Sequence, residues 1–123
     1  MNTAFGNVRT LGATKTAKKM MKQLETKGLF EEQRFCWMIG AALGIKNRKV
    51  FEEEKRETFQ NINSLDPEEI FASVMLGLYF NLTPEERVKK IIDHAEWGIR
   101  ELHRKEQNGT LDFSKLGLDE VLA

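Results

Sequence analysis

Apolar and polar positions alternate along this chain in two distinct ways. Between residues 35 and 45 the run Phe-Cys-Trp-Met-Ile-Gly-Ala-Ala-Leu-Gly-Ile is apolar all the way round a helix rather than on one side. Such a helix needs protein on every face, and it falls short of the about 20 residues of a membrane span. Gly40, Ala41, Ala42 and Gly44 let another backbone come close, while Phe35, Trp37, Met38 and Ile39 supply buried area. The run predicts the central helix of the core, shared between two subunits if the chain assembles. Glu31 and Glu32 open it at the positive end of the helix dipole, and it ends near Gly44.

Elsewhere the pattern is one-sided. Ala17, Met20, Met21 and Leu24 recur at helical spacing and predict a first helix over residues 15–27, with Thr14 as N-cap and Gly28 just past its end. Lys15, Lys18, Lys19 and Lys22 fall on the opposite side with no acidic residue among them. A solvated surface is the ordinary meaning of such a face, and contact with phosphate is the functional one. Before it, Val8, Arg9, Thr10 and Leu11 fit a brief strand between Gly6 and Gly12.

Two similar start signals follow: Asp66-Pro67-Glu68-Glu69 and Thr83-Pro84-Glu85-Glu86 each place a capping oxygen, a proline at N1 and a glutamate at N3. They predict helices over residues 67–80 and 84–107. The first is nearly as apolar as the central helix. The second carries the stripe Val88, Ile91, Ile92, Ala95, Ile99 and Leu102 and stops at Asn108-Gly109. Residues 46–63 are the least legible stretch, and within them the charge run 52–57 reads as an exposed loop or irregular helical turn. The tail 111–123 reads as a loop with a final helical turn that packs onto the domain. The expected fold is therefore all-α, a bundle of four to five helices with at most one short N-terminal strand, in a single domain over residues 1–123.

Charge changes this picture more than composition does. The net charge is zero, but residues 1–50 carry ten Lys/Arg against three Asp/Glu, and residues 51–123 carry nine against sixteen. The split of +7 and −7 points to an acidic partner at the basic end, or to mutual attraction of the halves within or between subunits. One cysteine, Cys36, excludes an internal disulfide, and inside the apolar run it reads as a small hydrophobe. The start lacks the charged-then-apolar pattern of a signal peptide, so a cytoplasmic location is expected.

No catalytic constellation stands out. Residues 40–44 lack the lysine-serine/threonine ending of a phosphate loop. His94 and His103, nine apart, lie on nearly opposite sides of one helix and cannot share an ion. Asp93 and Glu101 read as ordinary helix-surface residues, and no serine sits in a nucleophile elbow. Neither an enzyme nor a cofactor or metal is expected. Trp97 is off-pattern: it lies opposite the apolar stripe with Lys90, His94 and Glu101 as neighbours, where a large aromatic marks either a contact surface or the seat of the tail.

The order of brief strand, basic helix, Gly28 turn and apolar helix over residues 7–45 resembles the ribbon-helix-helix arrangement, and is similar to the small E component of bacterial DNA phosphorothioation systems. The resemblance implies that Asn7 and Arg9 face bases, that Lys15, Lys18 and Lys19 meet phosphates, and that the Gly40/Ala41/Gly44 face serves a dimer. The sequence thus suggests a small DNA-associated accessory or regulatory protein. It would bind through Arg9, Lys15, Lys18, Lys19 and Lys22 and assemble as a homo-oligomer, a dimer first, away from membranes. The alternative is a helical interaction module or oligomeric scaffold with no nucleic-acid role.

Overall fold

The computed structural model describes residues 4–118. In chain order the elements are β1 (Thr10–Ala13), α1 (Lys15–Thr26), α2 (Gln33–Asn47), β2 (Glu57–Asn61), the single turn α3 (Ile62–Leu65), α4 (Ile70–Leu78) and α5 (Pro84–Gln107), followed by one 3-10 turn at Phe113–Lys115. The fold is mostly helical, as expected, but it also carries a small antiparallel sheet.

That sheet is the main departure from the all-α expectation. β1 pairs with β2 of the same chain, Thr10 opposite Asn61 and Leu11 opposite Gln60, and then Gly12 opposite Thr58 and Ala13 opposite Glu57. The register skips Phe59, a bulge that bends the ribbon. Gly12 is required there, because a Cβ would lie 2.9 Å from the Glu57 carbonyl oxygen. β2 was unreadable as a strand because Glu57 and Thr58 are exposed and no residue of it is fully buried. Pairing with β1, and not a period-two apolar pattern, holds it.

α2 and α5 form the centre. Gly40 and Gly98 meet where they cross, and a Cβ on Gly98 would overlap the Gly40 carbonyl group. One turn on, a Cβ on Gly44 would overlap the backbone of His94. The small residues of the apolar run therefore bring two helices of one chain together, and Ala41 is fully buried beside them. Trp37 is buried completely, packs edge-on against Phe71 at 6.3 Å, and donates its indole N–H to the Gly12 carbonyl at 3.3 Å. That bond ties the sheet to the central helix.

The helix ends follow local chemistry. Thr14 accepts from the Ala17 N–H at 2.9 Å. At the other end of α1, Gly28 (φ +80°) donates to the Glu25 carbonyl and Leu29 to that of Leu24, a Schellman closure. Thr83 and Glu86 exchange both bonds of a capping box.

The other start signal works differently. α4 begins at Ile70, not Pro67. Residues 66–69 form a turn, closed by Glu69 N–H to Asp66 O at 3.1 Å, and Glu69 takes the left-handed conformation (φ +58°). The buried Asp66 carboxylate reaches across that turn to the N–H groups of Phe71 and Ala72, both at 2.9 Å. It caps the helix from four residues away.

The tail packs as expected over its described part: Leu116 and Leu118 are buried, Phe113 lies edge-on to Phe30, and Lys46 Nζ donates to the Leu116 carbonyl at 3.0 Å. Val121 and Leu122 lie outside the described residues. No helix among the described residues is long and apolar enough to cross a membrane.

Candidate nucleic-acid interface

The outer face of α1 is positioned from beneath by buried hydrogen bonds from its N-cap to a carboxylate of α5. Thr14 donates its hydroxyl to Glu96 at 2.8 Å and its N–H to the same carboxylate at 3.4 Å. Glu96 is 1 % exposed and also accepts from Arg100 Nε at 2.8 Å. One turn earlier Asp93, equally buried, accepts from Arg56 Nη1 at 2.7 Å and from Lys89 at 2.9 Å. Arg56 also donates to the Phe51 carbonyl at 2.9 Å, while its Nε approaches Glu96 at 4.0 Å and has no hydrogen-bond partner. Asp93, Glu96 and Arg100 sit at i, i+3 and i+7 on α5, so one face of that helix fixes both the start of α1 and the segment 51–56.

This network was hidden in the sequence. Asp93 is a core residue and not the surface residue its helix position suggested, because residues 51–56 fold over that part of α5. The spacing i, i+3, i+7 of acid, acid and base was the available signal. Its partner Arg56 lay in the stretch with no readable periodicity.

The four lysines divide. Lys18 is half-buried and committed: its ammonium donates to Glu57 at 3.1 Å and to the Thr58 carbonyl at 2.9 Å. Lys15 lies 3.7 Å from the same carboxylate with its side chain 86 % exposed, a surface pairing worth roughly 0–1 kcal/mol. Lys19 and Lys22 are exposed and form no hydrogen bond or ion pair among the described residues. Arg9 is also exposed, on the segment leading into β1, and only its backbone carbonyl is engaged, by the Ile62 N–H at 2.8 Å. A cleft of about 460 Å³ lies at the start of α1, bordered by Lys15, Lys55, Arg56 and Arg100 and by Glu53, Glu54 and Glu57. Its charges nearly cancel, which makes it a poor receptor for a free anion.

The interface residues expected from the sequence are placed as follows. Gly40 and Gly44 spend their small size against α5 within the chain. Trp97 is half-buried and packs against the core, so it does not stand on an open polar face. His94 is 1 % exposed, not on that polar face either. Its Nδ1 lies 2.7 Å from the Lys49 carbonyl and so carries the proton, leaving Nε2 to accept from the Tyr79 hydroxyl at 2.9 Å. Burial of the ring pushes its pKa below the usual histidine value. His103, on the other side of α5, contacts Gln23. Burial pushes the Cys36 thiol up to about 12. Among the described residues no three His, Cys, Asp or Glu side chains converge where they could hold a metal ion. Comparison with protein-family models, with characterised proteins and with solved structures gives no match.

Proposed function

We propose that this chain is a small, non-catalytic DNA-associated protein, an accessory or regulatory factor whose α1 lies along the phosphate backbone. Its working form in this reading is a homo-oligomer, a dimer in the simplest case. The observation that carries the reading is the exposed set Lys15, Lys19 and Lys22, two of which have no acidic partner among the described residues. These positions run i, i+4, i+7 and so cover about 10 Å of helix axis. Each of the three ammonium groups can neutralise one phosphate of the strand beside it. Arg9, exposed where the chain enters β1, is a further contact, toward base edges and not toward phosphate. Lys18 acts on the fold, through Glu57 and the Thr58 carbonyl, and contributes little to the ligand.

Salt dependence tests this directly. Three phosphate contacts per protomer predict a slope of log K against log[salt] near −2.7 for each protomer engaged on a random duplex, at about −0.9 per contact. Lys19→Gln and Lys22→Gln should each shallow that slope by about 0.9, and Lys18→Gln should leave it nearly unchanged. Retention of the full slope in the Lys19/Lys22 double variant would sink the reading. A second reading, a helical interaction module without a nucleic-acid role, is favoured by the apolar surface left open on α4. It predicts no retardation of duplex DNA even at low salt.

A further inference from the structure

The backbone sets Glu57 against the start of the lysine face. β2 pairs with β1 so that Glu57 stands opposite Ala13, and Ala13 leads through the N-cap Thr14 into Lys15. The glutamate carboxylate then lies between two lysines on one side of α1. Its Oε1 is 3.1 Å from Lys18 Nζ and its Oε2 is 3.7 Å from Lys15 Nζ. Residues three apart on a helix are neighbours, so one carboxylate answers both ammonium groups. Lys19 and Lys22, on the same outer face, form no ion pair among the described residues.

This arrangement leaves Lys18 able to bind more. An ammonium has three donors. One goes to Glu57 and one to the Thr58 carbonyl at 2.9 Å, and the side chain keeps 30 % exposure. Thr58 anchors the group at the surface, while Glu57 cancels its charge. Lys15 is 86 % exposed and more loosely cancelled. A phosphate at the first turn of α1 is repelled by Glu57 and competes with it for both lysines. Exposed ion pairs hold by no more than about fivefold each, so the carboxylate weakens such binding without preventing it.

We propose that Glu57 is an in-built competitor for phosphate, an autoinhibitory contact that silences Lys18 and weakens Lys15. The proposal rests on the DNA-associated reading above and names the group that limits the strength of its face.

Duplex titrations of the full chain at several salt concentrations test it. Glu57→Gln removes the charge at nearly constant size, and the β1–β2 pairing is made by the backbone, so the fold is kept. The variant should bind a random duplex about three- to tenfold more tightly at about 100 mM salt. Its slope per protomer should steepen from near −2.7 to near −3.6, as Lys18 becomes a fourth contact. Lys18→Gln, nearly silent in the wild type, should shallow the slope by about 0.9 in the Glu57→Gln background. Glu85→Gln is the control for net charge. Glu85 lies on α5 eleven residues before Glu96, the residue that holds Thr14, which is about 16 Å along the helix and beyond a Debye length of about 10 Å. That variant should stay within about twofold of wild type. Three results would overturn the competitor and leave the lysine face standing: unchanged affinity and slope in Glu57→Gln, equal tightening by Glu85→Gln, or the same effect of Lys18→Gln in both backgrounds. A wild type without salt-dependent duplex binding would remove the face and the competitor together.

Discussion

Replacing Arg56 with alanine probes the joint on which the rest of the site is mounted. Its guanidinium lies between two carboxylates, each 1 % exposed, and also holds the Phe51 carbonyl. After truncation Asp93 keeps only Lys89, whose side chain is 59 % exposed. Breaking a buried pair from one side costs about 3–5 kcal/mol, since the surviving charge stays out of water. For 123 residues, at roughly 2.1 cal/mol/K per residue, the unfolding entropy is near 260 cal/mol/K, so each kcal/mol moves Tm by about 4 °C. The expected fall is about 12–20 °C by thermal circular dichroism at pH 7. Arg56→Ala combined with Asp93→Ala should cost at least about 2 kcal/mol less than the two single changes added together, because the double variant strands no unpaired aspartate. An Arg56→Ala variant that loses under about 1 kcal/mol, or strictly additive singles, would refute a buried network here and return Arg56 to the surface.

Three other outcomes follow from the same geometry. Gly98→Ala should lower the urea midpoint by an amount equal to about 1–3 kcal/mol or more, since its methyl overlaps backbone that no rotamer change can move; a loss below about 1 kcal/mol would mean that α2 and α5 cross elsewhere. Cys36, with its thiol held near 12 instead of 9.0, should alkylate at pH 8 about a thousandfold more slowly in the folded protein than in urea, from the thiolate fraction alone; comparable rates would place it at the surface. His94 has a depressed folded pKa, so the unfolded chain binds the extra proton first as pH falls. Its contribution is complete above the unfolded value of about 6.5 and is lost as pH drops through the folded value. Urea midpoints from pH 7.5 to 5 should therefore decline in the wild type and flatten in His94→Gln; the same slope in both would remove His94 from the account.

Features set by neighbours in sequence were legible without coordinates. Thr14 and Gly28 bracket α1, Thr83-Pro84-Glu85-Glu86 opens α5, and the all-round apolar run became the central helix with Cys36 inert inside it. Each depends on a spacing of three or four residues, which the helix itself imposes. The lysine face was legible as a pattern, but not as a surface. Lys18 belongs to Glu57, thirty-nine residues away, and only folding brings that carboxylate to α1.

The remaining features required contacts between distant segments. β2 is a strand because β1 lies beside it, not because its side chains alternate. Asp93 and Glu96 are core residues because residues 51–56 cover them with Arg56. Asp66 caps α4 across a turn, since its carboxylate, once buried, must take the nearest free N–H groups. The glycines announced a close approach, and the sequence alone left open whether a second subunit or the same chain would fill it. Contact between the Gly40 and Gly98 backbones, too close to admit a Cβ at Gly98, decides for the same chain. Short-range periodicity fixes which face of a helix is apolar. What meets that face depends on packing between segments far apart in the chain, and there only the folded arrangement carries the information.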